Sequence, residues 1–357
     1  MPRSHDGRTT LNLGKFWKMG VRTIIEPLID ETLSSWLYRV NVSLGMPLRF
    51  YSSPSVGPDR PSLSSGGASM AFSDPDIVGE NLFLEEVATQ LSISRGWLEK
   101  RFPRTNRPTV PAQYRRSFCI HCHSDSVKAV NNPICKSSWS YLTKPQCEIH
   151  SVPLIDCHLT VSGTADFSAQ TLLWYCSVHS IEREVYLSND ACKLRSALAL
   201  NVQRRISSLE VGVDVSKGAS SVEMFVFTLM RAMMMPQVHH SYSKIAFRQW
   251  ESHKRYDTRG TYINFFQEIY RSTCFMRIHA LYLCGIILGW VDEDEAQATN
   301  KIEGWYSPFA ADFIWGMLKD SKLLRLMFTE LKRYESSALN LNHLRGLPSP
   351  YRSSYCE

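Results

Sequence analysis

The feature that most constrains this chain is a pair of ligand knuckles between Cys119 and His150. The first reads C-I-H-C (Cys119 to Cys122) and the second C-E-I-H (Cys147 to His150), with residues 123–146 between them. Two ligands separated by two residues can face one ion from a tight turn. A second such pair completes the tetrahedron of sulfur and imidazole donors that zinc prefers. Four protein ligands leave no open coordination position, so the spacing predicts a structural zinc rather than a catalytic one. A set of buried free thiols with a surface histidine accounts for the cysteines singly but not for their pairing.

A third knuckle, C-S-V-H (Cys176 to His179), follows, preceded by Cys157. It offers the start of a second zinc site whose fourth ligand would be His158 or Cys192. Adjacent Cys157 and His158 on one ion are strained, which weighs against His158. The opposing reading is a ribbon that has lost its metal and packs through an apolar core.

The protein has 357 residues, ten of them cysteine, and a formal charge of +6. That length accommodates two or three domains. Residues 1–23 are polar and basic, with no apolar core of a secretory signal. No apolar run reaches the ~18 residues of a membrane span. The longest, Ile278 to Trp290, is too short and contains His279 and two glycines. Cysteines without a signal point to a reducing compartment, with thiols free or on metal, and the bacterial cytoplasm is the expected location.

The charge excess is local. Arg95, Lys100, Arg101, Arg104, Arg107, Arg115 and Arg116 stand against one nearby acid, Glu99, so this segment carries the +6 of the whole chain. Such a concentration is the footprint of a nucleic-acid surface. The alternative is a solvated arginine-rich linker.

Along the chain, residues 1–25 read as a flexible tail. Leu33, Trp36, Leu37, Val40 and Leu44 recur at helical spacing after a candidate cap at Asp30, ending at Gly45 and Pro47. Residues 52–74, rich in Ser, Gly and Pro, read as a loop. The stretch V-A-T-Q-L-S-I-S-R-G-W-L-E-K-R-F (Val87 to Phe102) fits a helix-turn-helix whose second helix is capped by Ser94, though Gly96 is unusual there. Residues 103–117 read as an extended connector. Between the knuckles, Trp139 and Tyr141 suit a short strand or turn, and Val152 to Ile155 an apolar strand.

Past residue 190 the pattern is helical. Leu194, Leu198 and Ile206 mark one helix, and Val222, Phe225, Val226, Leu229 and Met233 a second, stopped by Pro236. A long helix is expected from Tyr262 to Trp290, with a last pair over residues 308–340. The acidic run Asp292 to Glu295 reads as a solvated loop. Met233, Met234 and Met235 are assigned to core packing rather than a contact surface. The expected architecture is mainly α with small zinc-ribbon or zinc-finger modules. An N-terminal helical, helix-turn-helix-like domain spans 26–117, a zinc-finger region 118–185 and a C-terminal helical domain 186–357.

E-T-L-S-S-W-L-Y-R-V (Glu31 to Val40), F-C-I-H-C (Phe118 to Cys122), W-S (Trp139, Ser140) and Q-C-E-I-H-S-V-P-L-I-D-C (Gln146 to Cys157) occur in order. In this the chain resembles the TniQ/TnsD family of transposon target-selection proteins, over roughly residues 26–180. The resemblance implies a non-enzymatic adaptor in transposition, with Cys119, Cys122, Cys147 and His150 as first-finger ligands. It implies two kinds of partner. One is a Cascade-type CRISPR effector complex or target DNA; the other is an AAA ATPase regulator that in turn engages the transposase. CRISPR-linked members form homodimers. The second finger departs from the family pattern, because its first knuckle is reduced to Cys157. No Walker A loop, nuclease-like carboxylate triad or G-x-S-x-G nucleophile motif occurs. The chain is short beside the larger direct DNA binders, which favours the CRISPR-linked branch. The alternatives are a selector that reads DNA directly and an unrelated zinc-finger regulator of transcription.

Overall fold

The computed structural model describes residues 24–45, 76, 81–103, 105, 107–111, 114–156, 189–209, 221–234 and 269–302. These residues are mainly helical, with two small two-stranded ladders. Residues 1–23 of the expected tail, the 52–74 loop, the third knuckle, Met235 and the 308–340 pair lie outside them; Ile24 and Ile25, the end of that tail as expected, are instead packed against the core around Trp36.

Helix α1 (Leu33–Leu44) buries Leu33, Trp36, Leu37 and Val40 on one face and ends at Gly45, whose φ of 62° is the left-handed cap conformation. Its N-cap is Thr32, whose hydroxyl accepts from the Ser35 amide. The expectation of Asp30 as cap is therefore corrected. Asp30 sits in a turn at φ 63°, and its carboxylate accepts from the Ser138 amide and hydroxyl instead. Thr32 has the extended backbone of a cap, at φ −72° and ψ 153°, while the Asp30 side chain is taken up by Ser138.

Helices α2 (Asn81–Leu91) and α3 (Arg95–Arg101) pack together, joined through Ser92 in the left-handed region. Ser94 caps α3 by accepting from the Trp97 amide, as its sequence position predicts. A Cβ at Gly96 would meet nothing within 4 Å, so no close approach demands glycine there. Leu84, Val87, Leu91 and Leu98 close over Trp36, and the Trp36 ring lies 5.6 Å from Trp97 and 5.4 Å from Phe102.

The central region starts at β1 (Ser117–Phe118) and runs through α4 (Ile120–Val130) into a single 3-10 turn (Ser137–Ser140). Trp139 and its neighbours form this 3-10 turn rather than a strand, with Tyr141 as its C-cap. β2 (Gln146–Cys147) and β3 (Val152–Pro153) pair antiparallel, Cys147 opposite Val152. β4 (Ile155–Asp156) returns to β1, with Ser117 opposite Asp156 and Phe118 opposite Ile155. The apolar run Val152 to Ile155 is thus split between two ladders.

Among the described residues, the helices α5 (Asp190–Leu209), α6 (Ser221–Met234), α7 (Cys274–Ile287) and α8 (Glu293–Ile302) follow. α7 packs against both α5 and α6, and α8 against α5. Met233 and Met234 are buried in this core, the role assigned to them. Val110 and Leu142 join the same core from earlier in the chain. The long helix expected from Tyr262 to Trp290 is interrupted: residues 269–271 are helical, Ser272 and Thr273 are not, and Thr273 caps α7 by accepting from the Met276 amide. The acidic run is not a loop. The Asp292 carboxylate accepts from the Asp294 amide while the Asp292 amide donates to Glu295, a reciprocal cap that starts α8. Acids are favoured there because the helix N-terminus is electropositive. Among the described residues, no helix is long and apolar enough to cross a membrane.

Two predictions test this packing. A Cβ at Gly285 would stand 2.4 Å from Val202 Cγ2 and 2.7 Å from Val291 Cγ2, so α7 reaches α5 only because this residue has no side chain. Gly285→Ala is expected to destabilise by about 1–3 kcal/mol by overpacking, read by denaturant titration. Burial, reinforced by the Arg195 guanidinium, holds His279 well below its ordinary value of 6.5. The unfolded chain takes up that proton near 6.5 whereas the folded chain does not. Stability from this residue is therefore full above that pH and falls below it, by up to about 1.4 kcal/mol per pH unit. His279→Asn should show a shallower loss of stability between pH 6.5 and 5.5 than the wild type.

Candidate metal centre

Cys119, Cys122, Cys147 and His150 come together with all four ligand atoms within 4.8 Å of one another. Each is delivered by a short regular element. Cys119 occupies the N-cap position of α4 and Cys122 its first turn, so the helix start forms the first knuckle. Cys147 ends β2, and Glu148 to Ser151 form the tip of the β2–β3 hairpin, closed by the Ser151 amide donating to the Cys147 carbonyl at 2.8 Å. Ser151 has φ 55°, which turns the chain sharply after His150. The β1–β4 ladder holds the two knuckles side by side.

The distances match a tetrahedral ion. Cys122 Sγ lies 3.6 Å from Cys147 Sγ, and His150 Nδ1 lies 3.6, 3.3 and 3.6 Å from the sulfurs of Cys119, Cys122 and Cys147. Zinc–sulfur bonds of about 2.3 Å and a zinc–nitrogen bond of about 2.0 Å give tetrahedral edges of about 3.5–3.8 Å. Protonation chemistry agrees. Hydrogen bonds from Cys119 and Cys122 drive the Cys147 thiol strongly down. Hydrogen bonds with Cys119 and Cys147, and then burial, drive Cys122 strongly up. For Cys119, a hydrogen bond with Cys122 lowers the value, but the Cys147 hydrogen bond and burial outweigh it, to about 11. Thiolates held this close repel one another, and a bound dication would relieve that repulsion. The cluster could therefore hold a metal ion.

Asp125, which the spacing argument does not reach, accepts from His150: Oδ2 lies 3.1 Å from Nε2. Its signal in the sequence is faint, one helical step of three residues after Cys122. Cys135 is buried in the same cluster but is not part of the ligand group. Cys157, Cys176, His179 and His158 lie outside the described residues. Cys192, the other candidate ligand, is fully buried on α5. No disulfide occurs among the described cysteines.

Around the cluster, polar side chains fasten helices from both sides. Arg39 and Glu31 form a buried ion pair, and Glu31 also accepts from the Ser35 hydroxyl. That hydroxyl receives the Cys135 amide at 2.9 Å, and the Thr32 amide donates to the Cys135 carbonyl. Ser34 and Arg115 both reach the Asp76 carboxylate. On the other side, Gln203 of α5 brackets the backbone of Gln146, accepting from its amide and donating to its carbonyl. Asp156 accepts from the Ser117 hydroxyl and, at 2.6 Å, from the amide of Cys274 at the start of α7.

The basic segment does not stand unpaired, contrary to the expectation from its single local acid. Acids distant in sequence reach it: Arg95 meets Glu85 as well as Glu99, Arg107 meets Glu223, Arg115 meets Asp76 and Arg116 meets Asp156. Folding supplies partners that local sequence cannot show. Arg107 is also stacked 5.0 Å over the Tyr141 ring. Two of the six described ones face outward. Lys100 is exposed, and Arg101, about half exposed, makes an exposed contact to Glu26 at 3.3 Å and lies over the Trp97 ring. Arg104 lies outside the described residues.

No protein-family model matches the chain, and no curated protein or solved structure matches it significantly.

Proposed function

We propose that the chain is a zinc-braced, non-enzymatic adaptor that selects targets in transposition, linking a CRISPR effector complex to an AAA ATPase regulator. One observation carries this reading. Several residues of the TniQ/TnsD-like pattern that are not ligands share a use: Thr32 and Ser35 fasten α1 to Cys135 beside the Cys/His cluster, with Glu31 bonding Ser35 and Arg39, and Gln146 and Asp156 fasten α5 and α7 to the same region. A pattern whose members converge on one centre supports a common ancestor for the whole arrangement rather than a chance match of cysteines. A closed four-ligand site also suits a brace, not a catalyst.

Zinc content is the first test. The purified protein should hold at least one zinc, and Cys147→Ser should lose it. Structural zinc in small fingers contributes on the order of 10–16 kcal/mol at neutral pH. The variant should therefore lose the central region's protection from proteolysis. Folded wild-type protein free of metal would overturn the assignment. For the adaptor role, the protein should co-purify with a co-expressed AAA ATPase from its genomic neighbourhood and neither cleave DNA nor hydrolyse ATP alone. Magnesium-dependent cleavage by the protein alone would refute that role, and tight binding to a DNA site without an effector complex would instead favour direct target reading.

The arginines separate into two expected outcomes. Removing Arg107 leaves the fully buried Glu223 carboxylate without its ion-pair partner, so Arg107→Ala should cost about 3–5 kcal/mol of stability. Lys100→Ala with Arg101→Ala should leave melting within a degree or two. It should weaken nucleic-acid or effector association and flatten the salt dependence by about two charges' worth. Equal effects of the two sets on binding would remove the distinction.

A further inference from the structure

We infer that Asp125 is a positioning residue for the metal: it orients the His150 ring and fixes which of its nitrogens carries the proton. The inference rests on the zinc reading above and extends it to a residue that is not a ligand. His150 turns Nδ1 towards the three sulfurs, so Nε2 must carry the hydrogen if the ring is to ligate as a neutral imidazole. The Asp125 carboxylate lies 3.1 Å from that nitrogen. It is the acceptor that selects this tautomer and makes Nδ1 a stronger donor to the ion.

The placement follows from the backbone. Cys122 and Asp125 are three residues apart on α4, so the helix that supplies two sulfurs also supplies the acceptor for the histidine of the other knuckle. Asp125 thereby joins the helical half of the centre to its hairpin half through a contact independent of the ion. His121 supports the same ring from the side, its centroid 5.3 Å from that of His150. The Asp125 side chain is 61 % exposed, so replacing it removes no packing from the core.

The test uses the full-length protein, with zinc competed against a chromophoric chelator. Asp125→Ala should still take up zinc at saturation but bind it about 10–100-fold more weakly. Asp125→Asn keeps a neutral acceptor oxygen and should fall between. A second readout is the nitrogen-15 spectrum of the His150 ring. Zinc-loaded wild type should show Nδ1 bound and a slowly exchanging proton on Nε2, and in Asp125→Ala that proton should exchange faster. Zinc affinity of Asp125→Ala within twofold of wild type, or an unchanged Nε2 proton, overturns the role of Asp125 while leaving the zinc reading intact. Wild-type protein that binds no zinc overturns both.

Discussion

Everything described depends on bringing three buried sulfurs and an imidazole into one tetrahedron. Such a cluster opposes its own formation, because like thiolates repel and burial disfavours each charge. The backbone overcomes this with small, rigid devices: a helix start, a hairpin tip and a two-stranded ladder. None of these would be stable alone in water, since two-residue strands bury almost nothing. They persist because Phe118, Trp139, Leu154 and Ile155 pack around the sulfurs and because helices dock on the outside.

That docking is largely polar, which distinguishes this centre from an ordinary hydrophobic interface. The Glu31–Arg39 pair is buried, and it is also tied through Ser35 to the backbone at Cys135. Gln203 replaces a missing strand by bonding both backbone groups of Gln146, and Gln146 in turn bonds Ser196 with its side chain. Asp156 serves β1 through Ser117 and the electropositive start of α7 through Cys274. Buried polar groups of this kind tolerate little displacement, because a lost partner leaves a desolvated group unsatisfied. They specify one mutual arrangement of α1, the cysteine cluster and α7, where apolar packing alone would permit sliding.

The same reasoning redistributes the basic segment. Its charge excess is real in the sequence, yet much of it is neutralised within the fold by carboxylates from other elements. Arg107 and Arg115 serve as internal braces, at Glu223 and Asp76. The end of α3, with Lys100 and Arg101, remains turned outward.

The sequence by itself determined that Cys119, Cys122, Cys147 and His150 could share one site, because two-residue spacing is a local property that survives without knowledge of the fold. It also determined the helical faces of α1, α5 and α6 and the Ser94 cap, which depend only on periodicity and on the residue next to a helix start. Tertiary structure alone decided the rest. Thr32 displaced Asp30 as cap because Asp30 is held by Ser138, more than a hundred residues away. The acid partners of the arginines and the roles of Asp125, Asp156 and Gln203 are contacts between segments far apart in the chain, or set by the direction of a helix face. No local pattern encodes which distant carboxylate a given cation will meet. That is fixed only once the core has chosen how its elements cross.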